Sequence, residues 1–280
     1  MTMTDTQRTT VVTPAGPVAS RNWRGSSLAA RIRLLTARSL RTLVTDPRSV
    51  MLALLQPVIL LVLFSQVFKS LAGTSSFPAG VSYIDYLVPA ILVNTAMQSA
   101  LVSGVGLTTD LTNGVVARFR AMPIWMGSVL TARSVTDLIR GLVQLGVIIV
   151  LAVAVFGFAP AGGVPGVLGA LVLAMAVSWG LGWVFLAAAT WLRNAELMQS
   201  IGFLVMFPLM FASSAFVPIA GLPGWLQAVA HVNPLTHAID AARDLTLGHA
   251  AGNTPLVTAG LTVTLAAAGF TAALPGIRRP

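Results

Sequence analysis

The sequence contains no cysteine, and only 9% of its 280 residues are charged. Without cysteine the chain forms no disulfide, offers no thiolate to a metal and has no cysteine nucleophile. Soluble domains are about one-quarter charged, so eight acidic and seventeen basic residues are too few to cover a soluble fold of this size. Hydrophobic residues make up 56% of the chain. This composition predicts a protein whose solvent is the lipid bilayer.

Sequence motifs for catalysis and nucleotide binding are also lacking. Lys69 is the only lysine and it follows Phe68, so the Gly-Lys-Ser/Thr end of a P-loop does not occur. No His-Glu-x-x-His or Gly-x-Ser-x-Gly pattern is present either. His231, His237 and His249 are therefore expected to be surface residues. We expect no catalytic residue, no metal site and no cofactor bound by this chain.

The net charge of +9 does not indicate nucleic acid as a partner. The basic residues lie at the edges of apolar runs and lack the aromatic-plus-basic groove pattern that binds single strands. We expect them to face anionic membrane lipids instead. Eight precede the first long apolar run: Arg8, Arg21, Arg24, Arg31, Arg33, Arg38, Arg41 and Arg48.

Six apolar runs are long enough to cross the hydrocarbon core, which takes about 20 residues. Their hydrophobicity is continuous and does not alternate, which predicts an all-α membrane protein. Between the last two runs, Pro223 and Pro234 can each begin a short amphipathic helix in the outer leaflet. The spans are predicted at about 49–68, 86–107, 135–158, 167–192, 197–219 and 255–275.

The distribution of basic residues predicts the orientation. If both termini are cytoplasmic, fifteen of the seventeen basic residues lie inside, and only Lys69 and Arg243 lie outside. The strong preference for arginine over lysine, together with abundant Ala, Gly and Val, suggests a GC-rich bacterial genome, and we therefore expect a bacterial plasma membrane. We expect three parts: a disordered cytoplasmic tail at 1–24, an amphipathic interface helix at 25–46, and a six-span domain at 47–280. The interface helix is expected to lie along the membrane surface, with Arg31, Arg38 and Arg41 on its flanks and back. A solvated leader with accidental periodicity is the alternative.

The inner loop between spans two and three has the features of a docking site. Asn113-Gly114 predicts a turn, 115–120 can form a short helix, and Pro123 ends it. Exposed arginine and aromatic side chains together are typical of protein interfaces, although a solvated loop whose charges set the topology is the alternative. The candidate docking residues are Val115, Arg118, Phe119, Arg120, Met122 and Pro123.

Polar and charged residues near the spans have two interpretations each. Arg133, Asp137 and Arg140 share a helix face at the inner end of span three, where a structural charge cluster is favoured over an ion relay. In span two, Asn94 and Gln98 lie beside a ridge of small residues that permits close helix packing. They either stabilise that packing or contact a polar part of a substrate. The ridge consists of Ala96, Ala100 and Gly104.

Span five contains methionine and phenylalanine residues around Pro208. Thioether and phenyl groups form adaptable surfaces for apolar ligands, but they are also ordinary core residues. The candidate substrate path comprises Asn94, Gln98, Met206, Phe207, Met210 and Phe211.

Several stretches together resemble the type-2 ABC exporter permeases, particularly the daunorubicin-resistance subgroup. The strongest match is 110–123, which contains Asp110, Gly114 and the run RFRAMP. The resemblance covers about residue 38 to the C-terminus, although Ala90 and Ala132 stand where glycine is usual. Further matches are Asp46-Pro47, Gln56-Pro57, Leu63-Phe64, Tyr83, Tyr86, Leu87, Pro89, the run NPLT at 233–236, Asp240 and Arg243.

The resemblance implies an export permease with six spans per subunit. It would form a dimer with a second copy or a paralogue, and two separately encoded cytoplasmic ATPase subunits would bind ATP and Mg. Segment 115–123 would be the coupling helix, and the substrates would be hydrophobic drugs, antibiotics or lipids. The alternatives are an ion-coupled secondary transporter, which usually has intramembrane carboxylates and an internal repeat, and a membrane-embedded enzyme, which needs catalytic groups.

Overall fold

A computed structural model of the protein describes residues 47–68, 77–78, 80–113, 126–249 and 252–278. The predicted tail 1–24, the interface helix 25–46 and the docking segment 115–123 lie outside these residues. Within them every regular element is helical, which confirms the all-α prediction for this part of the chain. Its α-helices are α1 (Pro47–Val67), α2 (Tyr83–Thr112), α3 (Met126–Phe156), α4 (Gly163–Leu192), α5 (Ala195–Phe211), α6 (Gly224–Val232), α7 (Pro234–Leu247) and α8 (Thr254–Arg278).

Four helices in the described residues are long and apolar enough to cross a membrane. They correspond to the second, third, fourth and sixth predicted spans. The apolar part of α1, Met51–Val67, and the 17-residue helix α5 are shorter. The four long segments are Tyr83–Thr112, Arg133–Phe156, Gly163–Leu192 and Thr254–Gly276.

Side chains at the helix ends explain several boundaries. The Ser82 hydroxyl accepts a hydrogen bond from the Asp85 amide at the start of α2 (3.1 Å), and Asn194 does the same for Leu197 at the start of α5 (2.9 Å). Asn233 caps α7, whose first residue is Pro234, as the sequence predicted. Gly248, at φ 71°, ends α7 in the left-handed conformation.

Helix α4 lies at the centre of the fold and packs most extensively against α8 and α2. Glycines permit this close approach. A Cβ on Gly180 of α4 would lie 2.8 Å from the backbone oxygen of Thr262 in α8, and a Cβ on Gly269 would overlap the backbone at Trp183. The small-residue ridge of α2 packs as predicted, since a Cβ on Gly104 would meet Phe185 and Met198.

The two short helices predicted between spans five and six are present as α6 and α7, but they differ in burial. Trp225 on α6 is 72% exposed, in agreement with a surface helix. Ile239 and Ala242 on α7 are fully buried in the main hydrophobic core. Helix α7 packs against α2, α4 and α8, so it is an integral part of the bundle and not only a surface helix.

The helix of the fifth predicted span ends at Phe211 and does not continue to residue 219. Carbonyl groups in the last turn of α5 and after it are bound by side chains from other elements. The side-chain amide of Asn233 donates to the carbonyl oxygens of Leu209 and Ala212, both at 2.7 Å. The Tyr83 hydroxyl donates to the carbonyl of Phe216 at 3.0 Å. These tertiary donors allow the backbone to leave the helix without unsatisfied buried groups.

Candidate functional site

The cluster predicted around Pro208 is divided between two surfaces of α5. Met206 and Met210 are buried in the core. Phe207 and Phe211 point outward and are 48% and 43% exposed. Because residues four apart lie on the same helix face, Phe203 belongs to the outward row as well. The structure therefore brings the two predicted phenyl rings together and separates them from the two methionines.

The outward rings of α5 form one end of a continuous row of aromatic contacts. The centroid distances are 5.4 Å for Phe203–Phe207, 4.7 Å for Phe207–Phe211 and 5.5 Å for Phe211–Phe216. The row continues onto α1, where the ring of Phe64 stacks on Phe216 at 4.1 Å and on Phe68 at 5.4 Å. We call these residues the phenyl row: Phe203, Phe207, Phe211, Phe216, Phe64 and Phe68.

Sequence reasoning missed four members of the phenyl row, which extend it in both directions. Phe203 could have been found from its spacing of four to Phe207. Phe64, Phe68 and Phe216 could not, because only the tertiary fold brings α1 beside residues 212–218. The exposed rings of Phe203, Phe207 and Phe211 present an apolar surface with a polarisable face, which suits flat or flexible hydrophobic molecules, and the buried ring of Phe216 connects this surface to α1.

The polar candidates of α2 lie elsewhere in the bundle. Asn94 is 3% exposed, and its side-chain oxygen has no hydrogen-bond partner in the described part of the chain. Gln98 is half-buried. A different polar contact, not predicted from the sequence, joins three helices: Ser99 of α2 donates to Gln144 of α3 (3.2 Å), which donates to the Ala53 carbonyl of α1 (3.1 Å).

Ion pairs join α2 to α3 at the end of the bundle that the sequence predicts to be cytoplasmic. Asp110 near the end of α2 forms an ion pair with Arg133 of α3. Arg133 also lies 3.7 Å from Asp137, whose carboxylate accepts a hydrogen bond from Ser103 of α2. Arg140, the third residue of the predicted face, is exposed. This arrangement is the structural charge cluster favoured above, and it fixes both helices that flank the docking segment.

The other end of the bundle, predicted to lie outside the cell, contains a buried arginine, Arg243 of α7. The sequence placed this residue outside as a topology charge, but its side chain is only 8% exposed. It donates to the carbonyl oxygens of Tyr86 (3.2 Å) and Ser214 (2.8 Å) and to the carboxylate of Asp240 (2.8 Å). The guanidinium also lies 3.5 Å from the centre of the Tyr86 ring.

The network around Arg243 is further connected by hydroxyl groups. The Tyr86 hydroxyl donates to the Ser214 carbonyl (2.9 Å), and the Ser214 hydroxyl donates to Asp240 (2.6 Å). Burial lowers the pKa of Arg243 from its usual value, while Tyr86, Asp240 and Asp244 favour the charged form. We call Arg243, Asp240, Tyr86 and Ser214 the outer clasp. It holds the non-helical residues after α5 against α2 and α7.

Outside these networks, the described residues include few histidines or other groups that could support catalysis or bind a metal. His231, His237 and His249 are exposed, as predicted. No group of three potential metal ligands occurs in the part of the chain that the structure describes.

Comparison with known proteins agrees with this arrangement. The model of a family described as "ABC-2 type transporter" matches residues 30–247. A daunorubicin resistance ABC transporter permease protein of Streptomyces coeruleorubidus is 31% identical over 196 residues, which cover 70% of this chain and 68% of that protein. A permease protein of Mycobacterium tuberculosis named for doxorubicin resistance is 28% identical over 238 residues, covering 80% of this chain and 81% of that protein. The chain therefore belongs to the ABC-2 type transporter family, in which its relatives are membrane permease subunits.

Proposed function

We propose that this permease exports a hydrophobic drug, antibiotic or lipid, and that the part of the phenyl row on α5 lines the substrate's route. The observation that carries the proposal is the exposed face formed by Phe203, Phe207 and Phe211. Three successive turns of one apolar helix present phenyl rings outward, and aromatic faces bind varied hydrophobic shapes without fixed hydrogen bonds. Two relatives are named for resistance to daunorubicin and doxorubicin, and these names support a hydrophobic substrate.

The proposed topology has six spans with both termini in the cytoplasm of a bacterial cell. Helix α5 has 17 residues, and spanning helices have about 17–25, so α1 and α5 complete the count with the four long helices. The chain would divide into the tail 1–24, the interface helix 25–46 and the membrane domain 47–280. The basic residues on the proposed inner side support this orientation.

The proposed assembly contains a second permease, identical or paralogous, and two cytoplasmic ATPase subunits. ATP and Mg would bind to those subunits, and this chain would take no part in the hydrolysis chemistry. Segment 115–123 would dock one ATPase, with the interface helix beside it. The ion pair between Asp110 and Arg133 supports this role, because it fixes the helices that enter and leave the segment.

Drug uptake into inside-out vesicles tests the proposed route. The permease is produced with its ATPase partner, and ATP-dependent uptake of daunorubicin is compared for the wild type and Phe207→Ala/Phe211→Ala. The outward rings of a spanning helix face lipid before the substrate arrives, so the substrate gains ring contacts there and no exclusion of water. One aromatic contact is worth about 0.5–1.5 kcal/mol. Removal of two rings therefore costs about 1–3 kcal/mol, and we expect the apparent KM to rise about tenfold or more, with substrates of different shape affected unequally.

The matched control is Val150→Ala/Val153→Ala, which shortens two exposed apolar side chains on α3. This control should leave the apparent KM unchanged. Co-purification of the ATPase and elution as one monodisperse complex must be retained by both variants. If the phenyl variant assembles normally and transports every substrate with an unchanged KM, the cargo does not pass along the phenyl row.

A further inference from the structure

A cavity of about 310 Å³ lies on the side of α5 opposite to the phenyl row. At 100° per residue, Val205 is about 160° to 200° around the helix from Phe203 and Phe207. The cavity is therefore separated from the proposed cargo route by the whole thickness of α5. Its inner wall includes Met97, midway along α2, and Val184 of α4.

The opening of the cavity lies between α5 and α8. Helix α5 packs mainly on α2, and α8 packs mainly on α4, so a gap remains between them. Val205 and Leu261 stand at this gap and are 51% and 39% exposed. Both helices are apolar at this depth. The cavity consequently opens sideways, toward the hydrocarbon of the bilayer, and α7 closes it on one side through Leu235.

The lining of the cavity has almost no capacity for hydrogen bonds. Its two threonines, Thr258 and Thr262, donate to carbonyl oxygens of their own helix at 2.9 and 2.7 Å. Their hydroxyl groups are therefore engaged within α8, and only their methyl groups can contact a ligand in the cavity. No charged side chain lines it in the described residues. A ligand with polar groups would lose hydrogen bonds to water there without replacement, so the site suits a purely apolar molecule.

We infer that this cavity is a binding site for one hydrocarbon chain, supplied by the acyl chain of a bilayer phospholipid. Engineered apolar cavities of about 150 Å³ hold one benzene-sized molecule, so the cavity accommodates an alkyl segment of roughly twice that size. A chain enters through the gap at Val205 and Leu261 while its head group stays outside. In the proposed topology the gap lies at the depth of the hydrocarbon core, where phospholipid tails are the most abundant apolar chains.

Photo-crosslinking tests this site. The full chain is reconstituted in nanodiscs that contain a phosphatidylglycerol with a diazirine on one acyl chain, irradiated, digested and mapped by mass spectrometry. Surrounding lipids label outward residues such as Val263, which is 60% exposed on α8. The inference expects additional adducts on the inward residues Val184 and Met206. Labelling confined to outward residues would overturn it, whether or not any variant folds.

A filling variant and a competition experiment sharpen the result. Val184→Phe/Ala188→Phe places two rings in the cavity, and it should reduce the inward adducts on Met206 to the background level. The matched control, Val263→Phe/Ala267→Phe, changes exposed positions of α8 and should leave those adducts unchanged. Excess daunorubicin should not displace the inward adducts. If it does, the cavity binds cargo, and the assignment to a phospholipid chain is wrong.

Discussion

Replacing Arg243 by methionine should lower the free energy of unfolding by more than the removal of any exposed charge. The substitution keeps an unbranched side chain but removes three hydrogen bonds, including the one to Asp240. Breaking a buried ion pair from one side costs about 3–5 kcal/mol. Two features reduce the cost here, since Asp240 is partly exposed and the Tyr86 hydroxyl still donates to the Ser214 carbonyl. We therefore expect a loss of about 3 kcal/mol in the free energy of unfolding.

The loss is measured by reversible unfolding in mixed micelles, in which the fraction of SDS is raised and tryptophan fluorescence is followed. Arg243→Lys keeps the charge but cannot reach all three acceptors at once, so it should lose about half as much. Arg140→Met removes an exposed arginine and should change the free energy of unfolding by less than about 0.5 kcal/mol. If Arg243→Met behaves like Arg140→Met, the outer clasp does not stabilise the fold.

Two further predictions concern the orientation and the docking segment. In the cysteine-free chain, Ser76→Cys and Ala161→Cys should react with an impermeant maleimide in intact cells, whereas Ala117→Cys should react only after the membrane is opened; labelling of position 117 from outside would reverse the topology. Arg118→Ala/Phe119→Ala should insert normally but lose most ATPase co-purification and transport, because it removes a charge and an aromatic anchor. Normal transport by this variant would leave the segment with a topological role only.

Length and apolar character were sufficient to predict the four long helices. The spans at 86–107, 167–192 and 255–275 each lie within a helix, and the span at 135–158 extends two residues beyond the end of α3 at Phe156. Hydrogen bonds inside one segment determine such helices. The end of α5 was not predictable in this way. Its position depends on Asn233 and Arg243, which are distant in the sequence and donate to the freed carbonyls.

The candidate site shows the same division between local and tertiary information. The spacing of Phe203, Phe207 and Phe211 is a helix-face pattern and was available from the sequence. The continuation of the row onto α1 was not, nor was the cavity behind α5. Arg243 was assigned to the outside because counting charges cannot distinguish a solvated arginine from one enclosed by carbonyl oxygens.

Helix α2 connects the charge cluster around Arg133 with the outer clasp around Arg243. It has 30 residues, and at 1.5 Å per residue it is about 45 Å long. Asp110 anchors one end to α3, and Tyr83 and Tyr86 bind the residues after α5 at the other end. Because α2 reaches from Asp110 to the backbone that adjoins Phe211 and Phe216, we expect a tilt of its Asp110 end to shift that backbone as well. In the proposed topology, a displacement at one membrane face would then change the position of aromatic rings near the other.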